Sequence, residues 1–74
     1  MIEVYSKDAC PQCVQAVNML NAKGLEYKVL KLGVDYTRDE LLVKAPGART
    51  VPQVFADGVL VGDLAALNRY LASV

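Results

Sequence analysis

The chain has 74 residues, 54% of them hydrophobic, and its eight basic and eight acidic side chains give a formal net charge of zero. That is enough apolar material for the core of one small domain spanning residues 1–74. The charge balance excludes the basic footprint of a nucleic-acid or anionic-membrane binder. The N-terminal "MIEVYSK" lacks a basic head followed by an apolar run, and no stretch is apolar over the length of a bilayer. A soluble, cytoplasmic protein is expected.

In chain order, "IEVYS" (2–6) alternates and is rich in strand formers, so it reads as a strand. Pro11 opens a helix at a position where its missing N–H costs nothing. Val14, Val17 and Leu20 recur at helical spacing with Ala16 and Met19 beside them, and Gly24 stops the helix after about Lys23. "EYKVLKL" (26–32) is a second strand. A strand, a helix and a strand make a βαβ unit with parallel strands and a right-handed crossover. Thr37-Arg38-Asp39-Glu40 is a capping box for a second helix, with Leu41 and Leu42 facing inward and an end near Ala45, before Pro46-Gly47. Asp57-Gly58 between "QVFA" and "VLV" marks an antiparallel hairpin of 53–56 with 59–61. Gly62-Asp63 begins the last helix, whose buried stripe is Leu64, Leu67 and Leu71. The order is β-α-β-α-β-β-α.

The only two cysteines stand in "DACPQC", as Cys10 and Cys13. A bridge between them closes a tiny loop and restrains the unfolded chain less than a bridge between distant segments. Half of a metal site, a redox dithiol and a coincidental pair remain as readings. A structural zinc site needs four ligands, and the chain has no histidine and no further cysteine. The βαβ context favours the redox dithiol. Cys10 falls at the entrance of the first helix, where backbone N–H groups lack partners and carry partial positive charge. That setting lowers a thiol pKa from about 8.5. Lys7 adds a positive charge nearby, and Pro11 helps fix the geometry. Cys10 at the exposed tip is then the attacking thiol, and Cys13, more covered on the first turn, resolves the mixed disulfide.

Thr50-Val51-Pro52 precedes the third strand. Proline cannot donate to a sheet ladder, so a strand start suits it, and X-Pro bonds are ordinarily trans.

Taken together, the strand, "CPQC", the βαβ unit, "ARTVPQVF", the Asp-Gly hairpin and the glycine before the last helix resemble a glutaredoxin of the thioredoxin superfamily, in a small, phage-like form. The resemblance covers nearly the whole chain. It implies an α/β thioredoxin fold: a four-stranded mixed sheet of order 2-1-3-4 flanked by three helices. It implies a cis bond at Val51-Pro52, laying the Val51 backbone open beside Cys10. It also implies a glutathione groove. Lys7 would face the glycine carboxylate, Thr50, Val51 and Pro52 the cysteinyl unit, and Gly62 and Asp63 the γ-glutamyl end. Arg49 and Arg38 would assist with charge. Gln12 replaces the tyrosine common between the family's cysteines. Gly62-Asp63 replaces the usual Gly-Gly-x-Asp, a shortened loop that reshapes the γ-glutamyl end.

The function implied is a glutathione-linked thiol–disulfide oxidoreductase reducing protein disulfides and glutathionylated thiols. Its co-substrate would be glutathione, with no metal. Its partners would be disulfide-containing client proteins, ribonucleotide reductase among them, acting with a monomer and without nucleic acid or membrane. The shortened loop motivates an alternative, a glutaredoxin-like electron donor reduced by thioredoxin reductase. A third possibility is the iron–sulfur cluster held by some glutaredoxins between two protomers, against which Pro11 and Cys13 argue.

Overall fold

The computed structural model describes residues 1–73. Its elements are β1 (Ile2–Ser6), α1 (Pro11–Ala22), β2 (Tyr27–Lys31), α2 (Arg38–Lys44), β3 (Gln53–Ala56), β4 (Val59–Gly62) and α3 (Leu64–Ala72). The strands form one sheet in the order β2-β1-β3-β4. β1 runs parallel to β2, pairing Ile2 with Tyr27 and Ser6 with Lys31, and antiparallel to β3. β3 and β4 close the hairpin, with a register shift between Val54 and Phe55. This is the thioredoxin-type topology that the family resemblance implies.

Side chains alternate across the strands, so each sheet face has its own core. Ile2 and Val4 of β1 and Val54 of β3 pack with Ala16 and Leu20 of α1 and Leu67 and Leu71 of α3. On the other face, Tyr5, Leu30 and Phe55 pack with Tyr36, and with Leu41 and Ala45 from α2 and its C-terminal end. The Tyr5 ring meets Tyr36 and Phe55 edge-on, at centroid distances of 4.8 and 5.3 Å, an arrangement aromatic quadrupoles favour.

Helix ends follow local chemistry. Thr37 Oγ1 accepts a hydrogen bond from the Glu40 N–H at 3.2 Å, and Glu40 Oε1 accepts one from the Thr37 N–H at 3.0 Å, completing the expected capping box. Asp57 and Gly58 both have positive φ, 49° and 82°, as a tight hairpin turn between right-twisted strands requires.

One expectation is displaced. The buried face of α1 is Cys13, Ala16 and Leu20, with Val17 and Met19 partly covered, while Val14 is 58% exposed. Of the apolar recurrence read from the sequence, Ala16 and Leu20 are thus buried and Val14 alone faces solvent. Ala16 and Leu20, both fully buried, set the rotation of the helix about its axis, and Cys13 lies on the same face. In α2, likewise, Leu41 is buried and Leu42 only partly so. α3 buries Leu67 and Leu71, with Leu64 half-covered.

Tyr36, in the β2–α2 connection, joins this second core to the loop that carries the cysteines. Its hydroxyl donates to the Ser6 carbonyl at 2.7 Å, and the Ser6 hydroxyl donates to the Leu30 carbonyl at 3.1 Å. Burial pushes the Tyr36 phenol up from its ordinary value, with the neighbouring Tyr5 acting in the same direction, so it remains a proton donor. The Ser6 carbonyl also accepts from the Leu32 N–H at 2.9 Å.

Leu20→Ala should lower the free energy of unfolding by about 2–5 kcal/mol, the range for a fully buried leucine, whereas Val14→Ala should leave it unchanged or slightly raised. Urea denaturation of the two variants checks the phase of α1. Tyr36→Phe should cost about 1 kcal/mol, because the Ser6 carbonyl keeps its second donor. A loss several times larger in the same assay would show that the hydroxyl organises more than this one bond.

Candidate active site

Cys10 is the N-cap of α1, with extended backbone dihedrals of φ −118° and ψ 93°. Its Sγ accepts a hydrogen bond from the Cys13 N–H at 3.1 Å, and its carbonyl accepts from the N–H groups of Cys13 and Val14 at 3.1 and 3.2 Å. A sulfur atom thus occupies the place usually taken by a serine or aspartate oxygen. Pro11 at the first helical position leaves these donors untouched. Cys10 and Cys13 are joined as a disulfide, with Cα atoms 5.2 Å apart. Both are buried, 8% and 5% exposed. The expected contrast between an exposed and a covered cysteine is therefore slight in the oxidised state, because the bond draws both sulfurs against the helix start.

The Val51–Pro52 bond is cis, as the resemblance implies. The Val51 carbonyl oxygen lies 3.8 Å from Cys10 Sγ. β3 begins immediately after Pro52, so the sheet itself holds this backbone beside the disulfide. The Gln53 side-chain amide donates to the Thr50 carbonyl at 2.9 Å, steadying the turn from the other side.

Two cavities meet at Thr50. The first, about 150 Å³, is lined by Lys7, Tyr36, Arg38, Arg49, Thr50 and Val51 among others. It gathers three cations, and no carboxylate lines it among the described residues. The second, about 470 Å³, includes Gln12, Thr50, Asp63 and Leu64. Asp63 caps α3, its Oδ1 accepting from the Ala66 N–H at 3.0 Å. Gly62 directly precedes it with φ 128°, and a Cβ there would meet the Ala66 Cβ at 2.7 Å. The short β4–α3 junction therefore tolerates only glycine at this point.

The structure thus gathers Lys7, Arg49, Thr50 and Val51 in one cavity, sets the Val51 carbonyl against Cys10 Sγ, and puts Gln12 and Asp63 in the second cavity. Two residues gain weight over their reading from sequence. Arg38 joins Lys7 and Arg49 in the cationic cavity. The capping box places it at the first position of α2, which is the local signal. Tyr36 lines the same cavity, and nothing local marks it, since its position depends on the distant Ser6 carbonyl. Asp8 is a further addition, bound to Lys31 at the end of β2 by an ion pair of 2.8 Å. Among the described residues no group of three or more His, Cys, Asp or Glu side chains is placed to hold a metal ion.

Comparison with known proteins agrees with this geometry. The glutaredoxin family model matches residues 2–61. Glutaredoxin 3 of Escherichia coli K12 is 36% identical over 70 residues, covering 90% of this chain and 84% of the relative. Among solved structures, glutaredoxin 1 of Francisella tularensis, complexed with cacodylate, superposes with a TM-score of 0.80 at 20% identity, over 97% of this chain and 92% of the other, a likeness of fold. A buckwheat glutaredoxin–glutathione complex superposes with a TM-score of 0.76 at 26% identity, over 97% of this chain and 68% of the other. A paired-cysteine helix start facing a cis-proline turn, on this sheet and with these relatives, places the chain in the glutaredoxin family of thiol–disulfide oxidoreductases.

Proposed function

We propose that the protein shuttles electrons from glutathione to disulfides by cycling Cys10 and Cys13 between dithiol and disulfide. The observation that carries this reading is the setting of Cys10 Sγ, held by the Cys13 N–H at a helix N-terminus and facing the Val51 backbone. In the reduced protein a Cys10 thiolate accepts that same N–H and is favoured by the partial charge of the helix end. It attacks one sulfur of a client disulfide. The other client sulfur leaves as a thiolate and takes a proton from solvent, and a mixed disulfide forms. The Cys13 thiolate then attacks Cys10 Sγ, releasing the client's second thiol and closing the Cys10–Cys13 bond. Glutathione reopens it: one molecule forms a mixed disulfide with Cys10, and a second leaves with it as glutathione disulfide.

The groove chemistry supports glutathione as that reductant. The tripeptide carries a carboxylate at each end and an ammonium at the γ-glutamyl end. Lys7, Arg38 and Arg49 suit the glycine carboxylate. The Val51 backbone suits strand-like pairing with the cysteinyl unit. The first N–H groups of α3 suit the second carboxylate, with Asp63 facing the ammonium. Thr50 and Pro52 shape the turn between the two ends. Pro11 and Gln12 support the site, Pro11 by fixing the helix start and Gln12 at the γ-glutamyl side. On this reading residues 1–74 work as one monomeric domain in the cytoplasm, with disulfide-containing proteins as clients. Ribonucleotide reductase is the client suggested by resemblance to the family.

A second reading has one observation in its favour. Gly62 abuts Asp63 with no intervening loop, so the γ-glutamyl end is open, and thioredoxin reductase becomes an alternative electron source. Hydroxyethyl-disulfide reduction coupled to glutathione and glutathione reductase, run beside an assay coupled to thioredoxin reductase, separates the two. Turnover with glutathione alone is expected. Turnover only with thioredoxin reductase would replace the first reading by the second.

Cys10→Ser should abolish exchange with every substrate. Cys13→Ser should lose reduction of protein disulfides yet retain deglutathionylation, which needs a single thiol. An active Cys10→Ser protein would reverse the assigned order of attack.

Asp63→Ala should lower stability by about 1 kcal/mol through loss of the α3 cap, and should also raise the KM for glutathione. Thermal melting reads the first effect and steady-state kinetics the second. A destabilised variant with unaltered glutathione kinetics would reduce Asp63 to a cap and favour the thioredoxin-reductase reading.

A further inference from the structure

A third groove, about 610 Å³, opens on the opposite flank of α1 from Gln12 and Asp63. Its wall includes Cys10, Pro11 and Cys13, and it continues along Val14 and Val17 of α1 to Val29 of β2. Val14 is 58% exposed and Val29 43% exposed. Val29 belongs to β2, opposite Val4, with its side chain left partly in solvent, and Val14 has no such role in the fold. Val14 contributes nothing to the core, and valine is a weaker helix former than alanine or glutamine. The charged groups at the rim include Lys7 and Asp8, and Asp8 is engaged by Lys31. The surface beyond the cysteines, along Val14, Val17 and Val29, is therefore apolar, with the Asp8–Lys31 ion pair and Lys7 at its edge. Glutathione, charged at both ends, does not suit it.

We propose that this groove between α1 and β2 docks the polypeptide flanking a client's reactive cysteine, seating an uncharged aliphatic side chain on Val14, Val17 and Val29. The inference rests on the thiol–disulfide exchange reading above. A client sulfur that reaches Cys10 carries chain on both sides of its own cysteine. One side meets the Val51 turn. The other leaves across the wall that Cys10 and Cys13 form, which is the mouth of this groove. The same disulfide thus serves two surfaces. The cationic and backbone-rich surface suits a charged tripeptide, and the apolar one suits a protein segment. Burying a half-exposed valine against an aliphatic side chain strengthens binding by roughly fivefold to tenfold.

The test uses the full chain carrying Cys13→Ser, which stops at the mixed disulfide. Probes are short peptides whose single cysteine is activated as the thionitrobenzoate mixed disulfide. In the exchange, the Cys10 thiolate attacks the peptide sulfur, a Cys10–peptide disulfide forms, and thionitrobenzoate leaves as a coloured anion. No glutathione is required. One peptide has glycine on both sides of its cysteine, one has leucine before it, and one has leucine after it. A leucine peptide should react about fivefold to tenfold faster than the glycine peptide at low concentration. Adding Val14→Gln and Val29→Thr, which retain helix and strand propensity, should remove that preference and leave the glycine-peptide rate and the melting temperature unchanged. Equal rates for all three peptides, or a preference that survives the double substitution, would overturn the proposal. A leucine preference in a protein that fails to turn over with glutathione would support the docking surface while rejecting glutathione as reductant.

Discussion

The hydrogen bond from the Cys13 N–H to Cys10 Sγ is the constraint on which the site depends. Helix N-termini need an acceptor from outside the helix. Here that acceptor is the reactive atom itself. The bond joins residues one turn apart and settles how α1 begins, whereas the packing of Ala16 and Leu20 settles which face of the helix meets the sheet. Cys13 lies on that buried face, and Val14 is turned away from it. A thiolate generated at Cys10 inherits a donor that the helix already holds in place. Stabilising it then requires no reorganisation of the backbone, which is the general advantage of preorganised dipoles at a reacting atom.

That helix start must be presented by a loop that is itself held. Ala9, just before Cys10, has φ 53°, a left-handed conformation that costs a residue with a Cβ about 1–2 kcal/mol. Several contacts offset this. Asp8 is paired with Lys31 on β2, and the Ser6 carbonyl is held by the Tyr36 hydroxyl and the Leu32 N–H. The ion pair is exposed and contributes little energy in isolation. The Tyr36 bond is buried and carries more of the load. The loop is thus anchored on its β1 side through the α2-side core, while its α1 side is anchored through the other core. The two layers of a small protein meet at one short segment, and the disulfide sits there.

Much of this was legible in the sequence. The order of elements followed from alternation in "IEVYS", the capping box at Thr37 and the Asp57-Gly58 turn, because each depends on neighbours in the chain. The fourfold sheet order did not follow from local signals; it entered through the likeness of "CPQC" and "TVP" to one family. Two features escaped local reasoning for physical reasons. Helical spacing defines a stripe, yet Val14, Val17 and Leu20 fit the spacing about as well as Cys13, Ala16 and Leu20, and only long-range packing against the sheet and α3 decides between them. Nothing local marks Tyr36. Its role comes from the Ser6 carbonyl, thirty positions away in sequence. Arg38 lay between these cases: the cap placed it at a helix start, but only the packing of α2 under the sheet turns that start toward Lys7 and Arg49.

A protein with zero net charge cannot attract a charged substrate by its overall field, so selectivity must come from local grouping. Lys7, Arg38 and Arg49 gather on one side of Cys10 without a carboxylate among the residues that line their cavity. On the other side Asp8 is paired with Lys31, Lys7 reaches the rim, and the exposed surface is valine. The helix that carries the cysteines therefore divides two chemically unlike surfaces while contributing its N-terminus to both. On the proposed readings, a small, charged reductant and an extended, apolar client segment reach the same sulfur in turn. Placing Cys10 at the helix end, rather than within either groove, lets each surface be specific without obstructing the other.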